Sequence, residues 1–480
     1  SYEGLQVDTD RTVETIAAGA IGNSKPIESI VERYYSPELK MTVFSRRSDP
    51  RNGESFKLSP AEAAADLVVS GEPANNAPPA TQDAAPEMHA PEAPEPAWPP
   101  GLLMSALNTL GLEKINPLGI RAYGFVESGF TGLLHGPQST RRSGLPLRVF
   151  DAKKPDNLRL NQLQLTLDRV VDTSKPVDWG GRFDLVYGSD AAVFRPLGLF
   201  NKQTQDVQLT FKQFYGNLWI RTGNDGQGLD LMFGQWITTI GAEVISGPDN
   251  YLYSRSLLFG FAEPFLHTGA KATYYFDPNN NVYFAVVRGW DDFKDNNEGA
   301  SFMGGFMLST KELTGSLPRD QFCLNVIVGP ELPGDGWNGN RFLLDTVWTH
   351  RWTEKLTQLI NADYGYQVGA PNTINSENVV EPGDASWYGV AYYLNYVVND
   401  YVSATGRAEW FRDVRGYRTG YVGNFFEVTT GVSFTPFPKS RLLNTLQIRP
   451  ELRADWSDNN APFHGNDWQM TAAFDVIYRF

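Results

Sequence analysis

The stretch that decides the fold is DWQMTAAFDVIYRF, residues 467–480. Trp468, Met470, Ala472, Phe474, Val476, Tyr478 and Phe480 fall on one parity, and Gln469, Thr471, Ala473, Asp475 and Arg479 on the other, with Ile477 the only large apolar intruder. Strict alternation predicts a strand with one apolar and one wet face. The same texture runs back to Gly119. About sixteen such segments of roughly 8–15 residues follow one another, each bounded by Gly, Pro, Asn or Asp. They begin with GIRAYGFVESGF (119–130) and NQLQLTLDRVV (161–171), and the last before the terminal strand is LLNTLQIRPELRADW (442–456).

The connections alternate in length. From the first strand onward every odd connection is long, among them GPQSTRRSGLPLRVFDAKKPDNLR (136–159), the segment 241–268 and GAPNTINSENVVEPGDAS (369–386). Most even ones are tight, such as DPNN (277–280) and ND (399–400). Short turns at one rim and long loops at the other predict an all-β, closed antiparallel transmembrane barrel of about sixteen strands over residues 119–480. A soluble propeller would repeat a signature every 40–50 residues or so, and none is present. The apolar fraction is 41%, and no stretch approaches eighteen consecutive apolar residues, so transmembrane helices are excluded while membrane strands are not.

In such a barrel the apolar parity faces lipid and the charged parity the lumen. That rule assigns Arg407, Glu409, Glu427, Arg449, Glu451, Arg453, Asp455, Asp475 and Arg479 to the inner wall. Sixteen strands enclose too wide a lumen for side chains alone to fill, so an aqueous channel is expected, the alternative being a plugged lumen. Pro450 is awkward, since a closed barrel has no edge to hide a missing N–H; a bulge or a position near the rim would accommodate it. Trp348, Trp352, Trp387, Trp410, Trp456, Trp468, Tyr396 and Tyr478 lie near strand ends and are expected in the interfacial belts.

The third long connection, GAEVISGPDNYLYSRSLLFGFAEPFLHTG (241–269), differs from the solvated Asn/Gly/Asp loops. Tyr251, Tyr253, Leu257, Leu258, Phe259, Phe261 and Phe265 make it too apolar to hang in water. It is expected to fold onto the inner wall as a constriction, with Ser254, Arg255, Glu263 and Glu243 offering polar groups; a subunit contact or membrane-rim loop is the alternative.

MFGQWITTIGAEVI (232–245) followed by NYLYSRSLLFGFAEPFLHTGAKATYYFD (250–277) resembles the signature of the OmpL-like β-barrel porin family. Gly234, Trp236, Thr239, Gly241 and Glu243 carry the first half. Tyr253, Ser254, Ser256, Phe259, Glu263, Pro264, Phe265, His267, Thr268 and Gly269 carry the second. Gln235 departs from the basic residue common there. The resemblance covers residues 119–480 and implies an outer-membrane porin; it says nothing of residues 1–118.

Those first 118 residues form a non-barrel extension. Residues 1–70 are expected to hold short helical pieces at TVETIAAGAIG (12–22), PIESIVERYY (26–35) and LSPAEAAADLVVS (58–70). Residues 71–100 contain nine Pro and eight Ala, an extended spacer, and residues 101–118 read as a short amphipathic helix. The chain's net charge is −14, of which −8 falls in residues 1–118, and no basic patch suggests a nucleic-acid partner. One cysteine, Cys323, and five scattered histidines give no zinc or nucleophile constellation. Only His267 lies near a serine, Ser254 or Ser256, without an orienting acid, so no catalysis, cofactor or metal is expected. If the protein is exported, its signal peptide has been removed; the terminal aromatic resembles the signal by which barrels are recognised for insertion.

The function expected from the sequence is a bacterial outer-membrane porin that passes small hydrophilic solutes and ions. Its N-terminal extension would be periplasmic, and analogy with other sixteen-stranded porins suggests a trimer. The alternative is a structural envelope protein, anchored by the barrel and contacting a neighbouring envelope component through residues 1–118.

Overall fold

A computed structural model describes residues 8–16, 27–36, 41–49, 53–58, 103–104 and 118–480, the last span without 136–157, 201, 225, 311, 315–316, 333–338, 376–377, 441, 459–460 and 464. The chain divides into two compact units, residues 1–78 and 79–480.

The first unit corrects the helical expectation. β1 (Asp8–Ile16), β2 (Ile27–Ser36), β3 (Met41–Asp49) and β4 (Gly53–Leu58) form an antiparallel meander in that order. TVETI and IESIVERYY are rich in β-branched and aromatic residues, which pack better on a pleated surface than on a short isolated helix. The helical piece expected at 58–70 apart from Leu58, the spacer at 71–100, and the helix expected at 101–118 except for the helical residues 103–104 and Leu118, lie outside the described residues.

The second unit is a closed antiparallel barrel of sixteen strands. Its first half is β5 (Arg121–His135), β6 (Arg159–Arg169), β7 (Val177–Gly188), β8 (Gln208–Arg221), β9 (Gly228–Ile237), β10 (Leu266–Asp277), β11 (Asn280–Val287) and β12 (Ser301–Ser309). A small hairpin, β13 (Glu312–Thr314) and β14 (Leu317–Pro318), sits in the next turn. The barrel resumes with β15 (Asp320–Pro330), β16 (Asn340–Arg351), β17 (Leu356–Ile374), β18 (Val380–Asn399), β19 (Val402–Asp413), β20 (Gly423–Phe434), β21 (Gln447–Ser457) and β22 (Trp468–Arg479). Each expected segment is one of these strands. Closure is direct: β22 pairs with β5, Phe474 opposite Phe130, and Phe480 exchanges backbone hydrogen bonds of 3.0 and 2.9 Å with Gly124.

Alternation sorts the faces as period 2 requires. In β22, Gln469, Thr471, Ala473, Asp475 and Ile477 are buried toward the interior, while Trp468 and Phe474 are exposed outward. Ile477 thus faces the barrel interior, which explains the one apolar residue on the wet parity. Phe474 sits mid-strand on the outer face, its ring 6.0 Å from that of Phe130. Phe474→Lys is therefore expected to cost about 2–4 kcal/mol in the bilayer, read as a lower urea midpoint for folding into lipid vesicles.

Pro450 needs no bulge. It faces outward near the short-turn rim, keeps its register with Phe474 of β22, and falls in a gap of the ladder to β20, where pairing lapses between Gly431↔Glu451 and Phe434↔Ile448. The long loop expected at 369–386 is also corrected. β17 and β18 run 19 and 20 residues, so most of that segment is a β-ribbon extending past the rim and turning near 375–379. Membrane strands need only about ten residues.

Of the expected interfacial aromatics, Trp348, Trp352, Trp410, Trp456, Trp468 and Tyr396 are exposed outward and Tyr478 partly so. Trp387 is a correction: odd-numbered positions of β18 point inward, and its side chain is fully buried.

Candidate functional site

The connection from Thr238 to Phe265 turns back onto the inner wall. Gly241, at φ +88°, makes the first bend, and a 3-10 turn (Gly247–Asp249) and a π-helical turn (Leu258–Ala262) follow. Two kinds of contact hold this third loop, and they divide the wall between them.

Toward β11–β19 the loop packs apolar on apolar. Ile240, Ala242, Leu257, Leu258 and Ala262 join inward-facing Tyr283, Met303, Ile327, Leu343, Trp387 and Phe411 in one buried cluster. Fully burying an aliphatic or aromatic side chain contributes about 1.5–3 kcal/mol, which offsets part of the roughly 1–2 kcal/mol per residue that ordering the loop backbone costs. Trp387 adds a hydrogen bond, Nε1 to the Ala262 carbonyl at 3.2 Å.

Toward β19–β22 and β5 the wall is charged, and its charges are spent on loop backbone. Glu409 accepts the amides of Leu257 (2.6 Å) and Leu258 (2.7 Å), capping the turn's unsatisfied N–H groups. Glu451 accepts Ser254 N at 3.0 Å. Arg453 donates to the Arg255 carbonyl at 2.6 Å and is paired with Asp455 at 2.7 Å. Arg449 donates to the Gly247 carbonyl at 3.0 Å while paired with Asp475. Arg479 reaches the Pro248 carbonyl at 2.7 Å and is part-exposed.

At the centre stands Arg407. Its guanidinium pairs with Glu427 at 2.8 Å and with the loop's own Glu243 at 2.7 Å, and donates to the Ser254 carbonyl at 2.8 Å. Glu243 in turn accepts Ser256 N at 2.7 Å. Arg255 folds back on its own loop, donating to the carbonyls of Tyr253 (2.9 Å) and Ile245 (3.2 Å).

Of the residues singled out from the sequence, Glu263 is buried apart, beside Asp345 and Asp363, and ten are thus buried in one seam between the loop and the wall: Glu243, Arg255, Arg407, Glu409, Glu427, Arg449, Glu451, Arg453, Asp455 and Asp475. Arg479 lies at its lower margin. They meet each other and the loop's backbone rather than standing as a free hydrated row. His267 is engaged by Thr238 Oγ1 at 2.9 Å and the Gly289 carbonyl at 3.1 Å, away from Ser254 and Ser256.

Sequence reasoning missed Glu127, whose carboxylate lies 3.5 Å from Arg449, and the inward polar residues Asn325, Asp345, Asn361 and Asp363. Asn361 Oδ1 accepts Ala242 N at 3.0 Å, another anchor for the loop's entry limb. The signal available was polar residues standing among apolar ones on the inward parity, as Asp345 does between Leu343 and Val347.

Where the loop returns to β10, a carboxylate group gathers at the long-loop rim. Asp291 accepts the amides of Phe265 and Leu266 at 2.8 Å each, and Glu331 accepts Trp290 N at 2.9 Å and Ser301 Oγ at 2.8 Å. Burial pushes Asp291 up to about 6 and Glu331 up to about 7. Asp292 is pushed up to about 7 by burial first and then by Glu331 and Asp291. Each binds its proton more tightly folded than unfolded, so the stability linked to it is complete at low pH and is lost as pH rises from about 4 to about 7. Asp292→Asn is expected to narrow the gap in melting midpoint between acidic and mildly alkaline buffer, by an equivalent of about 1–2 kcal/mol after allowance for screening at the rim.

The model of the family described as putative beta-barrel porin-2, OmpL-like, matches residues 119–480. Among solved structures, the outer membrane channel DcaP of Acinetobacter baumannii is 11% identical, with 75% of this chain and 97% of that chain covered at a TM-score of 0.47. OmpT of Vibrio cholerae is 10% identical, with 75% and 99% covered at 0.47. An anion-selective porin from Comamonas acidovorans is 9% identical, with 75% and 99% covered at 0.46. No curated protein matches the chain.

Proposed function

The chain belongs to the OmpL-like β-barrel porin-2 family, and from that premise, an outer-membrane channel protein, we propose that it passes small hydrophilic solutes and ions passively through a lumen narrowed by the third loop. The observation that carries this reading is the docking of residues 238–265 on the inner wall, through the Arg407–Glu243 and Glu409–Leu257 contacts. A loop held across the lumen sets the cross-section, and the polar groups at its margin decide what the remaining water-filled passage admits. The purified full-length protein in a planar bilayer should give discrete conductance steps, with a reversal potential in a salt gradient that reports ion preference. Silent membranes containing correctly folded barrel would overturn it.

One observation favours a second reading. Eleven of the twelve charged residues assigned to the lumen are buried, as they would be in a closed barrel that anchors an envelope protein. In that case current should be absent from the intact chain and present only after residues 1–100 are removed. The proposal extends to the N-terminal residues. The barrel's first strand begins and its last ends at the short-turn rim, and such a rim is periplasmic in outer-membrane barrels, which supports a periplasmic side for residues 1–118, with 71–100 proposed as an extended spacer. Trimerisation rests on fold-level analogy alone; the mass of the detergent-solubilised particle tests it.

A further inference from the structure

Within the apolar part of the inner wall lies a small polar island. Asp345 of β16 and Asp363 of β17 are directly opposed in register, both inward-facing. Like charges in directly opposed positions repel, and both are buried. Glu263, at the end of the loop's π-helical turn, brings a third carboxylate, and one oxygen from each residue lies within 4.8 Å of the others. Glu263 is 3% exposed and Asp363 6%.

Hydrogen bonding accounts for only part of this charge. Asp345 takes the amide of Asn325 on one oxygen and of Asn361 on the other, both at 2.8 Å. Both Glu263 oxygens and Asp363 Oδ2 are buried without a hydrogen-bond partner. Among the described residues no Lys or Arg forms a salt bridge with any of the three, although every acidic anchor of the loop's central seam has arginine or backbone N–H partners. Three buried carboxylates with no cation, and with no donor for three of their six oxygens, make an arrangement proteins avoid unless protons or a metal supply the missing charge.

We propose that Glu263, Asp345 and Asp363 form a binding site for a hard divalent cation of the calcium class, which ties the third loop to β16 and β17. The donor set is all oxygen, as such ions require, and oxygens on opposite sides of a calcium ion stand about 4.6–5.2 Å apart, so the cluster closes around the ion with little movement. Both limbs of the loop converge there. Ala242 N is held by Asn361, and Gly241 approaches so closely that a Cβ at its position would lie 1.9 Å from Glu263 Oε2. The cation thus fixes the loop's entry and exit against one patch of wall, opposite the arginine seam that fixes its middle.

The test uses full-length protein refolded in detergent and stripped with chelator, titrated with Ca2+ by calorimetry and with Tb3+ by luminescence sensitised through Trp387, whose indole bonds Ala262 beside Glu263. One saturable site per chain is expected, with at least a tenfold loss of affinity in both Glu263→Gln and Asp363→Asn. Heat-modifiable gel migration certifies that each variant is folded, and where one variant misfolds the other decides. No wild-type binding up to millimolar Ca2+, or binding unchanged in a folded variant, overturns the proposal. Shared protons would then neutralise the cluster, and Glu263→Gln would raise the melting midpoint irrespective of Ca2+. Binding is read without any current, so its failure is separate from failure of the channel reading.

Discussion

Arg407→Ala is expected to be the most damaging single substitution on the inner wall. The guanidinium is 1% exposed and holds two carboxylates, Glu427 and Glu243, at 2.8 and 2.7 Å, besides the Ser254 carbonyl. Removing it leaves both carboxylates buried and facing each other across the space it occupied. Breaking a buried pair by deleting one partner costs about 3–5 kcal/mol, and here one arginine serves two acids on two different elements. Because Glu243 and Ser254 belong to the loop while Glu427 belongs to β20, the damage concentrates on loop docking and leaves the ladder of sixteen strands in place. The expected result is a barrel that still migrates as folded but whose 238–265 segment becomes susceptible to limited proteolysis. Glu243→Gln together with Glu427→Gln in the Ala background should restore much of the protection, since it removes the charges that the arginine neutralised. Equal protease resistance in wild type and Arg407→Ala would show that the apolar face alone holds the loop.

How much of this was legible depends on what each residue type reveals by itself. Strand positions from Arg121 to Arg479 were readable because period-2 alternation between lipid and interior is imposed at every step of a membrane-spanning strand. The seam of Arg407, Glu409, Arg449, Glu451 and Arg453 was readable for the same reason, since a charge on such a strand can only point inward. Their destination was less so: parity says that Glu409 is inward, not that it caps Leu257 and Leu258. Asp345 and Asp363 went unnoticed because each is the one acid on its strand's inward face, Asp345 between Leu343 and Val347 and Asp363 next to Asn361 on that parity, and only the β16–β17 register sets them side by side. Trp387 was misplaced because proximity to a strand end suggests an interface belt, whereas parity with Tyr393 and Asn395 places it inside. Residues 8–58 lacked any such constraint, and short segments such as IESIVERYY satisfy helical and extended patterns equally until strand pairing decides.

Excising residues 244–262 and bridging Glu243 to Glu263 with a short Gly/Ser linker should produce the largest functional change. None of the sixteen barrel ladders includes these residues, so the backbone hydrogen bonds that make the wall are untouched and the barrel should still close. Stability should nevertheless fall. Leu252, Leu257, Leu258 and Phe259, all nearly fully buried, give up about 1.5–3 kcal/mol each on losing their burial, and inner-wall residues such as Tyr283, Met303 and Leu343 become wetted. The melting midpoint is thus expected to drop by many degrees while folding into vesicles persists. In the same preparation the lumen gains the volume of a nineteen-residue loop, and conductance per channel should rise severalfold as a sixteen-stranded barrel approaches its unobstructed width. Ion preference should weaken at the same time, because Arg449, Glu451 and Arg453 would exchange their loop carbonyl and amide partners for water and mobile counter-ions. An excised, folded barrel whose conductance and reversal potential equal those of the intact protein would locate the narrowest point of the passage elsewhere. An excised barrel that conducts where the intact chain is silent would instead identify the third loop as a closed plug. In either case the burial of the Arg407 seam is explained by docking, and the current decides whether that docking leaves water a way past.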